Sequence, residues 1–158
     1  MRRFDVLLCD ADNTLFDFDA CEKVALRRAC AALALPCDEA ICRVYAQINA
    51  ALWAAYERNE MTQVALRRVR FTQLLAHLHA VADADALGKA YTDALGQTAL
   101  MIPGALEMVR QVAAWMPIYL FTNGIGSVQR SRLAASPLSD WIVGMVISEE
   151  VGVAKPDP

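Results

Sequence analysis

Two aspartates one residue apart, Asp10 and Asp12 in "VLLCDADNTLFDFD", directly follow an apolar run. Such a pair can divide labour. One carboxylate attacks phosphorus as a nucleophile while the other moves protons, with Mg²⁺ offsetting their mutual repulsion. Asp12 would then protonate a leaving alcohol and afterwards activate water against an aspartyl-phosphate on Asp10, splitting one hard displacement into two easier ones. A calcium loop of the EF-hand kind is a competing reading, but counted from Asp10 its obligatory Gly and Glu positions hold Leu15 and Cys21. A solvated turn is another. It has no need of acids at the end of a buried strand, whereas open α/β sheets bind ligands at the carboxyl ends of their strands. The Asp-x-Asp-x-Thr-Leu string does not by itself decide between the catalytic and the solvated reading.

Two later segments bear on it. In "YLFTNG", Thr122 ends an apolar run and offers a hydroxyl, with the backbone N–H groups of Asn123 and Gly124 nearby for phosphate oxygens. In "GVAKPDP", Lys155 precedes a proline, as at the start of a helix, where its ammonium can neutralise a phosphate. Thr122 as an ordinary helix cap and Lys155 as a surface lysine are the plain alternatives. Neither explains why three such segments end apolar strand regions in order.

The elements that must position these residues are legible in outline. Phe4 to Cys9 reads as a buried strand of a parallel sheet. From about Asp19 to Ala99 the apolar period is helical. One stripe is Ile41, Val44, Tyr45, Ile48, Leu52, Ala55 and Tyr56 behind the cap Asp38, and a second is Val64, Phe71, Leu74, Leu75 and Leu78 behind Thr62. A third, Leu87, Tyr91 and Leu95, follows Asp85, so the insertion reads as a small helical bundle. "IPGALEMVRQVAAWMP" is then a helix halted by Pro117, "IYLFTNG" a strand, "GSVQRSRLAAS" a helix and "WIVGMVIS" a strand. The expected fold is an α/β sheet interrupted by an all-helical module. Its expected boundaries are 1–16 with 100–158 for the core and 17–99 for the insertion.

A chain of 158 residues, 56% of them hydrophobic, can bury a real core. Its net charge of −3 gives no electrostatic reason to expect nucleic acid or an anionic membrane as a partner. The five cysteines are odd in number and contain no C-x-x-C pair, which favours reduced thiols over a disulfide framework or a zinc site. The basic start runs into acids and not into a cleavage site, and no apolar run has the length of a membrane span, so the expected location is the cytoplasm.

"DADNTL", "LFTNG" and "VAKP", in this order and spacing, resemble the first three motifs of the haloacid dehalogenase (HAD) superfamily. The resemblance covers the whole chain, because a helical insertion directly after the first motif is similar to the C1-type cap of that superfamily, and it implies a Rossmann-like core. More narrowly, "DADNTLFDFD", "LWAAYERNEMT", Arg70-Phe71 and "VISEEVGVAKP" resemble pyrimidine 5'-nucleotidases of the YjjG type, which act on nucleoside monophosphates. The resemblance implies Asp10 as nucleophile, Asp12 as general acid/base, and Thr122 and Lys155 as phosphate binders. It also implies Mg²⁺ held by the Asp10 carboxylate and the Asp12 main-chain carbonyl. Asp12 further separates a phosphatase from a dehalogenase, whose halide leaving group needs no acid.

One departure bears on activity. The superfamily's fourth motif, an apolar strand ending in Gly-Asp with a further acid, does not occur before Pro158. The sequence therefore predicts a three-stranded core with its first strand on an open, apolar edge, weak Mg²⁺ binding and little turnover. The alternative to an enzyme is an inactive fragment that self-associates through that edge; a phosphatase for another small phosphorylated metabolite is a further alternative. In the insertion, Arg67 lies on an apolar stripe, Trp53 and Tyr56 read as core aromatics before they read as base-stacking ones, and Phe16 with Asp17 reads as the joint between core and cap. His77 and His79 point to different faces of a helix and take no joint role.

Overall fold

The computed structural model describes residues 4–155. Three parallel strands, β1 (Leu7–Cys9), β2 (Ile118–Thr122) and β3 (Ile142–Ile147), form one sheet in the order β1-β2-β3. Between β1 and β2 lie α1 (Phe18–Ala32), α2 (Glu39–Glu57), α3 (Gln63–His77), α4 (Ala84–Gly96) and α5 (Ala105–Ala113). Helix α6 (Gly126–Ala134) makes the crossover to β3, and α7 (Ser148–Val151) follows it. Parallel neighbours cannot be joined by a hairpin, so each pairing here requires a helical connection.

The described residues divide into two compact units, one running up to Cys21 and resuming at Gly96, the other Glu22–Leu95. In the α/β unit, Cys9, Ala11, Leu15, Phe16, Val109, Ile118 and Leu120 form a buried core under the sheet. In the helical unit the buried rings of Tyr45, Phe71 and Tyr91 meet one another at centroid distances of 5.3 to 5.5 Å. Asp38 and Thr62 cap α2 and α3 as their positions predict, accepting the N–H of Ile41 at 2.9 Å and of Ala65 at 3.2 Å.

Several local expectations are revised. Strand β1 begins at Leu7, and Phe4 and Val6 before it are exposed. Val64 is 76% exposed, and the face of α3 that it was expected to mark is buried instead through Leu66, Arg70, Phe71 and Leu74. The acid serving the start of α4 is Asp83, whose carboxylate accepts the Asp85 N–H at 2.8 Å. The short α7 has too few residues to show a period. A helix starting at Lys155 would fall on residues outside those described.

Candidate active site

The strand register sets the site. Cys9 pairs with Leu120, Leu120 with Met145 and Thr122 with Ile147, so all three strands finish on one edge of the sheet. Asp10, Thr122 and Ser148 therefore emerge together at the carboxyl ends, where open parallel sheets bind ligands.

Asp10 Oδ1 accepts a hydrogen bond from Lys155 Nζ at 2.5 Å. The same ammonium donates to the Phe121 carbonyl at 2.9 Å and lies 5.3 Å from the centre of the Phe121 ring. Thr14 Oγ1 donates to the other Asp10 oxygen at 3.4 Å. Asp10 and Lys155 remain 41% and 30% exposed at their side chains, so an incoming anion can reach both. Next to them, burial pushes the Cys9 thiol up, and the charge of Asp10 adds to this while Lys155 opposes it.

Lys155 is placed by Asn123. The Asn123 side chain donates to the Lys155 carbonyl at 3.0 Å and accepts the Lys155 N–H at 2.8 Å, while Ser148 Oγ donates to the same oxygen at 2.6 Å. Asn123 thus ties the ends of β2 and β3 to the lysine loop, a role that its sequence position did not disclose. Thr122 is buried, and its hydroxyl oxygen accepts the Gly124 N–H at 3.0 Å. This closes a local turn of the kind that short hydroxyl side chains favour. The Gly124 N–H, expected to be open for phosphate, is engaged within the loop.

After Asp10 the chain turns at Asn13, whose φ of 55° is a left-handed conformation that asparagine tolerates. Its Oδ1 accepts the Phe18 N–H at 2.9 Å, Asp17 Oδ1 accepts the Ala20 N–H at 3.0 Å, and the chain enters α1. Asp12 meets partners other than those of Asp10. One Asp12 oxygen is ion-paired with Arg132 Nη1, and the other accepts from Gln129 Nε2 at 2.6 Å. Each of the two acids therefore has its own cation.

Gln129 and Arg132 are site residues that sequence reasoning missed. Both lie on the buried face of α6. The available signal was a helix immediately after the candidate phosphate loop that lacks a continuous apolar stripe, so that burying any face of it must bury polar side chains. Gly124 belongs to the same arrangement: a Cβ there would lie 2.3 Å from Gln129 Nε2. Only glycine lets the amide pass toward Asp12.

Among the described residues no cluster of three or more His, Cys, Asp or Glu side chains is placed to hold a metal ion. The Asp12 carboxylate is held by Arg132 and Gln129, and its main-chain carbonyl is a further oxygen that it can offer to a cation. That carbonyl and the Asp10 carboxylate are hard oxygen donors of the kind Mg²⁺ takes, alongside several waters and substrate phosphate oxygens. The residues present fit a sparsely held Mg²⁺.

No protein-family model matches the chain. It is 32% identical over 99% of its length to the HAD-hydrolase YfnB of Bacillus subtilis. It is 30% identical over 98% of its length to the pyrimidine 5'-nucleotidase YjjG of Escherichia coli, and 32% over 98% to the pyrimidine 5'-nucleotidase PynA of Streptococcus pneumoniae. The chain spans about two thirds of the length of these relatives. The crystal structure of magnesium-bound YfnB superposes with a TM-score of 0.91, covering 98% of this chain and 70% of that one. An L-2-haloacid dehalogenase from Xanthobacter autotrophicus, 20% identical with a TM-score of 0.72, shares the fold. Identity at this level along nearly all its length, together with the matching fold, shows that the chain belongs to the haloacid dehalogenase superfamily.

Proposed function

We propose that the protein is a Mg²⁺-dependent phosphomonoester hydrolase that acts on a nucleoside 5'-monophosphate through an aspartyl-phosphate on Asp10. The observation that carries this reading is the 2.5 Å contact of Asp10 with Lys155, 145 positions away in the chain, at the shared carboxyl end of the strands. A reactive carboxylate beside a solvent-accessible cation is what an incoming phosphate dianion requires. The nucleotide as substrate is supported by the two relatives named as pyrimidine 5'-nucleotidases.

In this mechanism an Asp10 oxygen attacks phosphorus, the bond to the leaving alcohol breaks, and the Asp12 carboxyl gives the alcohol its proton. Water then attacks the aspartyl-phosphate as Asp12 takes back a proton, the bond from phosphorus to Asp10 breaks, and phosphate is released. Lys155, the Thr122 hydroxyl and the N–H groups of Asn123 and Gly124 hold the non-bridging oxygens. For this the Gly124 N–H turns from Thr122 to the phosphate. The Asp10 carboxylate and the Asp12 carbonyl would hold Mg²⁺, which would supply positive charge against nucleophile and phosphate. In the same reading residues 17–99 are the cap domain and 1–16 with 100–158 the catalytic core. Five free cysteines accord with a reducing cytoplasm, and no described helix is long and apolar enough to cross a membrane.

Asp10→Asn is expected to abolish Mg²⁺-dependent phosphate release from nucleoside monophosphates and to weaken Mg²⁺ binding in a calorimetric titration, with the circular dichroism spectrum unchanged. Wild-type turnover by that variant would refute the assignment.

A second reading, self-association, has one observation in its favour. Among the described residues β1 pairs only with β2, and Leu8 on it is 55% exposed beside the exposed Phe4 and Val6. Size-exclusion chromatography that shows a dimer in the wild type and a monomer in Leu8→Lys supports it; a monomeric wild type dismisses it.

A further inference from the structure

Gln129 and Arg132 are polar residues of kinds that are mostly exposed, yet α6 buries both. Arg132 is fully buried and Gln129 is 2% exposed, and the Gln129 Oε1 has no hydrogen-bond partner among the described residues. Apolar side chains of similar volume would pack there without that desolvation. What the two polar residues have in common is Asp12: each supplies one donor, and each donor meets a different oxygen of its carboxylate.

We propose that Gln129 and Arg132, with Gly124 making room, are positioning residues that lock the orientation of the Asp12 carboxylate for its two proton transfers; this rests on the reading of Asp12 as the proton carrier. The terminal torsion of an aspartate is broad and roughly two-fold, so a single contact would leave the carboxylate plane free to turn. One donor on each oxygen fixes it. The donors are themselves immobilised. Arg132 Nε donates to the Thr98 carbonyl at 3.3 Å, Nη2 lies 3.6 Å from Cys21 Sγ, and the guanidinium stacks 4.4 Å from the Phe16 ring centre. The Gln129 main chain is held by α6 through its N–H to the Ile125 carbonyl at 3.0 Å. The Gln129 side chain is confined where it crosses Gly124. A misplacement of about 1 Å in such a group can cost about a hundredfold in rate.

The test separates positioning from mere support of the fold by changing the leaving group. A nucleoside 5'-monophosphate departs as an alkoxide that needs a proton, whereas p-nitrophenyl phosphate departs as a stable phenolate. In the full-length protein, Gln129→Leu is expected to lower kcat/KM at least about tenfold for the nucleotide and less than about threefold for the aryl ester. Arg132→Lys, which keeps the charge but loses the planar fork, is expected to discriminate in the same sense. A crystal structure of metal-free Gln129→Leu should show the Asp12 carboxylate rotated or split between two orientations, with Asp10 in place. Equal losses on the two substrates, or an unmoved Asp12, would overturn the inference and leave the Asp10 chemistry standing. A wild-type protein that releases phosphate from neither substrate overturns the functional reading and this inference together.

Discussion

Arg132 in the α/β unit and Arg70 in the helical unit are 0% and 2% exposed, yet their surroundings differ in kind. Arg132 meets a carboxylate, a backbone carbonyl and a ring face. Arg70 donates one bond to Asn49 at 3.2 Å and lies 4.9 Å from the ring centres of both Phe71 and Tyr91, with Nε and Nη2 lacking hydrogen-bond partners among the described residues. Ring faces attract a cation without matching its individual N–H groups. In the helical unit Asn49, which accepts from Arg70, donates to the buried Glu22 at 2.7 Å, so that an amide links arginine and acid, whereas in the α/β unit the arginine holds its acid directly. Removing one partner of a buried, directly paired acid leaves the other charge uncompensated, which is costly.

The largest test of that contrast is Asp12→Ala, which leaves Arg132 buried without its carboxylate. It is expected to cost about 3–5 kcal/mol in urea unfolding. Asp10→Ala, which removes the partner of a half-exposed lysine, should cost only about 1 kcal/mol. Gly124→Ala forces Gln129 aside and is expected to destabilise by about 1–3 kcal/mol, read as a lowered unfolding midpoint. Arg70→Met, which leaves Glu22 its bond from Asn49, should cost less than Asp12→Ala; a loss as large as that of Asp12→Ala would erase the distinction between the two arginines.

Alkali should act more strongly on the helical unit than on the α/β unit, where the Cys9 thiol is also raised. In the helical unit burial pushes up the thiols of Cys30 and Cys37 and the phenols of Tyr45 and Tyr91, with Cys37 further raised by the neighbouring Cys30 and Cys42. The folded state keeps these protons at pH values where the unfolded chain has lost them. Stability from these groups is therefore intact below about pH 8.5, the ordinary thiol value, and falls as pH rises beyond it. The urea midpoint followed by Trp53 fluorescence, with Trp115 and Trp141 replaced by Phe, should drop from pH 8 to pH 10. For the same reason Cys37 should react with iodoacetamide at pH 8 at least about tenfold more slowly in the folded protein than in urea.

The smallest expected effect concerns chain reversals. In the α/β unit the left-handed positions are Asn13, Gly104 and Gly152, whereas in the helical unit they are Ala34, Asn59 and His79, just beyond α1, α2 and α3. Alanine pays a steric cost in that conformation, so Ala34→Gly is expected to stabilise by about 0.5 kcal/mol after the added freedom of the unfolded chain is counted. His79, which read as having no joint metal role with His77, is such a helix terminator.

Legibility followed the range of the interactions. The caps Asp38 and Thr62 could be read because a cap bonds to a residue three positions on. The segments ending at Asp10, Thr122 and Lys155 could be read as one group because parallel strands share a carboxyl edge. Val64 misled because a period of 3.6 defines a stripe but not its centre, and the face that α3 buries is rotated toward Leu66 and Arg70.

By itself the sequence determined the kind of fold and the two acids with the hydroxyl and the lysine that follow them, since strand ends, caps and helical period are local properties. Only the tertiary structure decided which cation serves which acid: Lys155 for Asp10, and Arg132, 120 positions away, for Asp12. That choice depends on the turn at Asn13, on which face of α6 is buried, and on the space left above Gly124. No local pattern carries these, because each is set by the packing of segments distant in the chain.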